Sequence, residues 1–272
     1  MSLSARQLLV GAVAYHPRVV TVWEGFRAYF WAHGLDVDYV LFSNYERLVE
    51  ALLEAVVDIA WNTNTAFVTA EARLHGRALI LGMRDIDVRF ATVIVADKRS
   101  AIGGLGGVAD QTLALGSRDS GHAAILPLHF LAAEGVNMDR VRLLRFDTDL
   151  GKHGDTGDSE MRVVRAVAAG EAQAGAIADV TWARLRAEGV PEVTRLRVVW
   201  KSPTYYHCCF TALPSLDANL AARWLELLLG MDYDEPQLRP YMDLEGVKRW
   251  LPGDKAGYAL LTEAMRNQGY LR

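Results

Sequence analysis

The chain of 272 residues has only two cysteines, Cys208 and Cys209, and they are neighbours. That excludes a disulfide-stapled scaffold, because a bond between adjacent residues is strained, and leaves two small buried thiols on a strand. No apolar run approaches the roughly 20 residues that span a bilayer, so membrane insertion is not expected. There is no basic run either, and 29 Lys and Arg against 33 Asp and Glu leave a net charge of −4. Nothing in that balance attracts nucleic acid. The motifs G-x-S-x-G, H-E-x-x-H and C-x-x-C are missing, and "GGLGG" (103–107) lacks the spacing and strand context of a nucleotide loop. No catalytic residue, cofactor or metal is therefore assigned. His16, His122 and His153 are the side chains that could meet carboxylates in acid–base chemistry.

What is present is a core-forming composition, 51% hydrophobic and 23% charged, arranged as strands alternating with amphipathic helices. "QLLVGAVAY" reads as a strand, "VVTVWEGFRAYFWAHG" as a helix closed by Gly34, and "DVDYVLF" as a second strand. The stretch "MSLSARQLLVGAVAYHP" ends in no small-residue cleavage site. A periplasmic or extracellular location follows if a signal has been removed, a cytoplasmic one if the N-terminus is native. The strand–helix pattern resets near residue 90 and repeats through "TLALG", "VRLLRF" and "AGAIA". Two α/β lobes are expected, 1–89 with 204–272 and 90–203, joined by a two-strand hinge.

On open α/β sheets ligands sit at the carboxyl ends of the strands. That rule selects Tyr15 and His16 after the first strand, and Ser43, Asn44 and Tyr45 after the second. After the third it selects Trp61, Asn62 and Asn64, where an indole beside amides suits a small polar ligand. The alternative is Trp61 in the core with Asn62 capping a helix. In the second lobe the rule selects Ser117, Arg118, Asp119, Ser120, Gly121 and His122. Ser120 opens a helix, either as a simple cap or with free amides that hold an anion. Arg118 could pair with an acidic ligand group. Asp179 caps a helix or meets a ligand donor, and Tyr205 shares a face with His207 at the return crossing. The loop "FDTDLGKHGDTGDSE" (146–160) has an Asp spacing similar to calcium loops, but Gly151 stands where a ligand is needed. It reads as a mobile loop bordering the cleft, with His153 entering on closure.

The order of elements resembles the type II periplasmic solute-binding proteins. Three stretches, "VDIAWNTNTAFVTA", "SRDSGHAAILPLHFLAAEGV" and "SEMRVVRAVAAGEAQAGAIAD", resemble the phosphonate-binding branch of ABC transporter receptors. The resemblance implies a two-lobed fold, each lobe a mixed sheet flanked by helices, that closes on a small molecule and serves an ABC permease. In that family three hydroxyl residues before a Gly hold the phosphonate oxygens. Here Arg118, Asp119 and Ser120 precede Gly121, so only Ser120 remains, with Ser117 upstream. Where the family has a His that pairs with the anion, this chain has Glu160, which cannot donate unless protonated. A carboxylate that holds a ligand amine in the family falls near Asp179. Asp119 and Glu160 together would repel a dianion, so the expected ligand is anionic or zwitterionic and not a simple phosphonate. Two alternatives share the fold: an enzyme like chorismate dehydratase or the dihydroxyphthalate decarboxylases, and a cytoplasmic ligand sensor.

Overall fold

The computed structural model describes residues 7–271. It begins with β1 (Leu8–Val13), an apolar run of the kind a central parallel strand requires. α1 (Arg18–Ala32) follows, burying Val19, Val22, Trp23, Phe26 and Phe30 at helical spacing. The alternation continues through β2 (Val37–Phe42), α2 (Tyr45–Leu53), β3 (Ile59–Asn62), α3 (Asn64–Arg73) and β4 (Leu79–Arg84). The next run is β5 (Thr92–Asp97), β6 (Thr112–Leu115), α4 (Leu126–Ala133), β7 (Arg142–Arg145) and α5 (Asp158–Ala169). β8 (Ala174–Ala178), α6 (Asp179–Ala187) and β9 (Leu196–Lys201) complete it. The chain ends with β10 (Cys209–Ala212), α7 (Ala218–Leu229), α8 (Arg239–Glu245), β11 (Trp250–Leu251) and α9 (Ala259–Asn267).

These elements form two units, each built on a mixed sheet. The first comprises the chain up to Arg89 together with Tyr206–Tyr258; the second comprises Phe90–Tyr205 and the chain from Ala259 onward. The first sheet has the order β11-β4-β10-β3-β1-β2, and the second β7-β6-β8-β5-β9. In the first, β1 lies parallel to β2 and β3, while β10 runs antiparallel between β3 and β4. Its core is an aromatic cluster in which Trp23, Phe30, Trp61, Phe210, Trp224 and Trp250 interlock. In the second, β6 lies parallel to β7 and β8, and β5 runs antiparallel to β8 and β9.

The division departs from the expected boundaries at two places. Tyr205 groups with the second unit, where its amide donates to the Phe90 carbonyl at 2.9 Å. The last helix also belongs there: Gln268 Nε2 donates to the Ile125 carbonyl (2.8 Å) and the Tyr270 hydroxyl to the Arg118 carbonyl (2.8 Å). The chain therefore passes from unit to unit at residues 89–90, 205–206 and again at 258–259.

Candidate functional site

The second unit gathers its predicted residues where β6 runs into α4. Ser117, Ser120, Gly121 and His122 are all buried. The helix does not begin as a regular α-helix at Ser120. Gly121–Ile125 form a wider π turn, in which the Ser120 carbonyl accepts from Ile125 N at 3.0 Å, before α4 proper starts at Leu126. Pro127 stands in the first turn of α4 and has no N–H to give. Single π turns of this kind often mark functional sites. Ser120 caps the turn, its Oγ accepting from Ala123 N at 3.2 Å. A hydroxyl that accepts in this way keeps its own proton for a second partner.

The loop 146–160, expected to border the cleft as a mobile segment, is hydrogen-bonded onto this turn. Ser117 Oγ accepts from Asp149 N (2.9 Å), and Asp119 Oδ2 accepts from Gly151 N (2.5 Å). Arg118 donates through its amide (2.9 Å) and its guanidinium (2.5 Å) to Asp147. Asp149 is fully buried and accepts from Ser159 N (3.0 Å), Ser159 Oγ (2.7 Å) and Thr156 Oγ1. Gly154 lies over the helix entry at φ +91°, where a Cβ would stand 3.0 Å from both Ser120 Oγ and His122 Nε2. Only glycine fits there without strain. His153 sits beside it, buried, with Nε2 4.0 Å from Asp119.

Glu160 is buried against the same turn. It accepts from Ala178 N and from Thr181 Oγ1 (2.6 Å), and its Oε2 lies 3.7 Å from His122 Nε2. Burial pushes its carboxyl up to about 7, against the pull of those two hydrogen bonds. Glu160 is therefore a carboxyl that gains and loses its proton near neutrality. On the far side of His122, Thr92 Oγ1 donates to the His122 carbonyl (2.9 Å). The Tyr205 hydroxyl, 3.0 Å from Thr92 Oγ1, is then left to donate to it, and burial raises its own pKa. Ser120, His122, Glu160 and Tyr205 thus belong to one buried polar cluster. The Asp179 carboxylate accepts from Ala91 N (3.1 Å) and Lys201 Nζ (2.7 Å), and its charge adds to that of Glu160 in raising the Tyr205 pKa.

In the first unit the predicted residues divide by depth. Tyr45 is in the core beside Leu48 and Val13, and Trp61 packs against Phe210 and Trp250, both shielded from solvent in place of the expected ligand-facing positions. His16 is exposed, with Nδ1 accepting from Arg18 N at 3.1 Å; Ser43 is exposed; Tyr15 is half-buried under the Arg18 guanidinium. Asn44 caps α2 through Arg47 N (2.9 Å). α3 is capped by Thr63, not Asn62. Asn64 is buried and satisfied, accepting from Thr65 N (2.8 Å) and donating to the Tyr206 carbonyl (3.4 Å). Asn62 differs from all of these. It is fully buried, and neither amide atom has a hydrogen-bond partner among the described residues.

Sequence reasoning missed Asp149, Thr92 and Thr181, which organise the second cluster. Thr92 opens the β run of β5 and reads as a strand former, Thr181 reads as an ordinary residue of the first turn of α6, and Asp149 reads as one more polar loop residue. No local signal distinguishes any of the three.

The model of the ABC transporter phosphonate periplasmic substrate-binding protein family matches residues 12–258. No curated protein sequence matches. Among solved structures, PhnD1 from Prochlorococcus marinus in complex with methylphosphonate is 20% identical, with a TM-score of 0.76 over 97% of this chain and 99% of that one. XAC2383 from Xanthomonas citri bound to chloride is 19% identical, with a TM-score of 0.73 over 98% of both chains. The aliphatic sulphonate binding protein SsuA from Escherichia coli is 14% identical, with a TM-score of 0.64 over 98% of this chain and 94% of that one. The two mixed sheets flanked by helices match these two-lobed type II structures in fold.

Proposed function

The chain belongs to the phosphonate-type periplasmic substrate-binding family of ABC transporters, and from that premise we propose that it captures a small organic oxyanion for an ABC permease. The head group is assigned to the second unit, at the Ser120 hydroxyl, the Gly121 amide and His122. The class assigned is a monoanion, a sulfonate or a carboxylate, in preference to a dianionic phosphonate.

The observation that carries this choice is the buried Glu160 carboxyl 3.7 Å from His122, with its pKa pushed up to about 7. Above that pH it adds a negative charge beside the assigned head group. One further like charge at about 6 Å costs about 3 kcal/mol at an effective dielectric of about 20, a factor of roughly a hundred in affinity. A sulfonate carries one charge throughout. A phosphonate loses its second proton at a pKa above the value of about 6 of a phosphate ester, because its P–C bond withdraws less charge than an ester oxygen, and by pH 8 it carries more than one charge. Arg118 does not offset this, because its guanidinium is spent on Asp147. The relatives support both head-group chemistries, one being bound to methylphosphonate and another described as binding aliphatic sulphonates.

Calorimetric titration with methanesulfonate, acetate and methylphosphonate at pH 6 and pH 8 tests the reading. A sulfonate or carboxylate is expected to bind at least tenfold more tightly than methylphosphonate at pH 8, with the gap narrowing at pH 6. Ser120→Ala is expected to weaken the bound monoanion at least tenfold. Tightest binding of methylphosphonate at pH 8 would reject the head-group class, and an unchanged affinity in Ser120→Ala would reject the location.

A further inference from the structure

The first unit contains a second chemistry-bearing cluster, unrelated to the residues assigned to the ligand. Asp87 lies just after β4, and His207 and Cys208 lie just before β10. All three are buried, at 0%, 4% and 3% exposure. Cys208 Sγ is 3.0 Å from His207 Nδ1, and that nitrogen is 3.4 Å from Asp87 Oδ1. The three donor atoms all lie within 4.8 Å of one another. We propose that Cys208, His207 and Asp87 form a binding site for one borderline-soft divalent cation of the zinc type.

Geometry supports the donor set. Zinc–sulfur bonds of about 2.3 Å and zinc–nitrogen or –oxygen bonds of about 2.0 Å, at tetrahedral angles, give edges of about 3.5 Å for S···N and about 3.3 Å for N···O. The N···O edge is already in place, and the thiol needs to withdraw by roughly half an ångström, within one side-chain adjustment. Consecutive residues in an extended strand point to opposite faces. His207 and Cys208 instead converge, because they precede β10 in irregular backbone.

The surroundings hold those donors as metal ligands are usually held, by outer partners that fix their direction. The Arg84 guanidinium forks onto Asp87 (2.6 and 2.9 Å) and lies 5.3 Å from the centre of the Trp61 ring. The His207 amide donates to the Asp87 carbonyl (2.9 Å), and the Tyr258 hydroxyl donates to the His207 carbonyl (3.1 Å). Arg84 also pairs with the buried Glu245 at 3.2 Å, so its guanidinium ties Asp87 to a second carboxylate beside the site. On binding, the Cys208 proton leaves to solvent, the metal takes its place between Sγ and Nδ1, and water completes the four-coordinate shell. Cys209 takes no part: its Sγ faces Thr211 Oγ1 at 3.5 Å.

The test is a cobalt(II) titration of the intact chain under reducing conditions, read by absorbance. One equivalent is expected, with a thiolate-to-cobalt charge-transfer band, and zinc is expected to displace it. The band is expected to vanish in Cys208→Ser and to persist in Cys209→Ser, with affinity at least tenfold weaker in Asp87→Asn. Absence of the band in the unmodified protein overturns the proposal without reliance on any variant. Loss of the band in Cys209→Ser, with Cys208→Ser unaffected, overturns the assignment of the ligand.

Discussion

Asn62 and Asn64 are two residues apart, both buried, and differ in one respect that can be measured. Asn64 has both ends of its amide engaged, to Thr65 N and the Tyr206 carbonyl. Asn62 has neither engaged among the described residues. A buried polar group without a partner costs about 1–3 kcal/mol, whereas replacing it by an apolar side chain of similar size removes that cost. Asn62→Leu is therefore expected to raise the stability of the first unit by about 1–2 kcal/mol, a rise in Tm of roughly 2–5 °C. Asn64→Leu leaves the Thr65 amide and the Tyr206 carbonyl short of a partner and is expected to cost about 2–3 kcal/mol. Urea unfolding of the two variants, followed by tryptophan fluorescence and extrapolated linearly, measures the difference directly. The reasoning fails if Asn62→Leu destabilises to the same degree as Asn64→Leu, because its amide would then be satisfied within the fold. A gain at Asn62 marks a polar group retained at the expense of stability, the usual trade at binding sites.

Two further outcomes follow from the second unit. The raised pKa of Glu160 means that, between about pH 4.5 and about 7, the folded protein holds a proton that the unfolded chain has released. Its contribution is complete below about 4.5 and declines as pH rises to about 7, by about 3 kcal/mol in all. Urea midpoints measured across that range in Glu160→Gln should lack this decline, and an unchanged pH profile refutes the assignment. Gly154→Ala places a methyl 3.0 Å from Ser120 Oγ and His122 Nε2 at φ +91° and is expected to cost about 1–3 kcal/mol in thermal unfolding. A neutral result would mean that the loop does not rest on the helix entry.

The alternation of strand and helix was legible because burial imposes a periodicity on each segment, and β1, α1 and β8 carry it plainly. Ser120 was legible as a helix-capping residue for the same local reason. The π turn behind it was not, since it depends on how the turn before Pro127 closes on the Ser120 carbonyl. Tyr45 and Trp61 were selected by their place after a strand, yet each points into the core, because position along the chain does not say which face a side chain takes. The network around Asp149 joins residues about thirty positions apart, and pairing at that distance leaves no periodic trace. The destination of α9 was hidden similarly: its apolar stripe announces a buried face but not the unit that buries it.

The central position of β10 has a consequence for the order in which the protein can come into being. Until Cys209–Ala212 is synthesised, β3 and β4 have no strand between them, and each offers a bare edge to any other chain. At about 5–20 residues per second, that interval lasts on the order of ten seconds. The whole second sheet leaves the ribosome during it, so the unit begun second can assemble its strands before the unit begun first. Its own completion waits longer still, because Gln268 and Tyr270, which pin the Ile125 and Arg118 carbonyls, emerge only with the last residues of the chain.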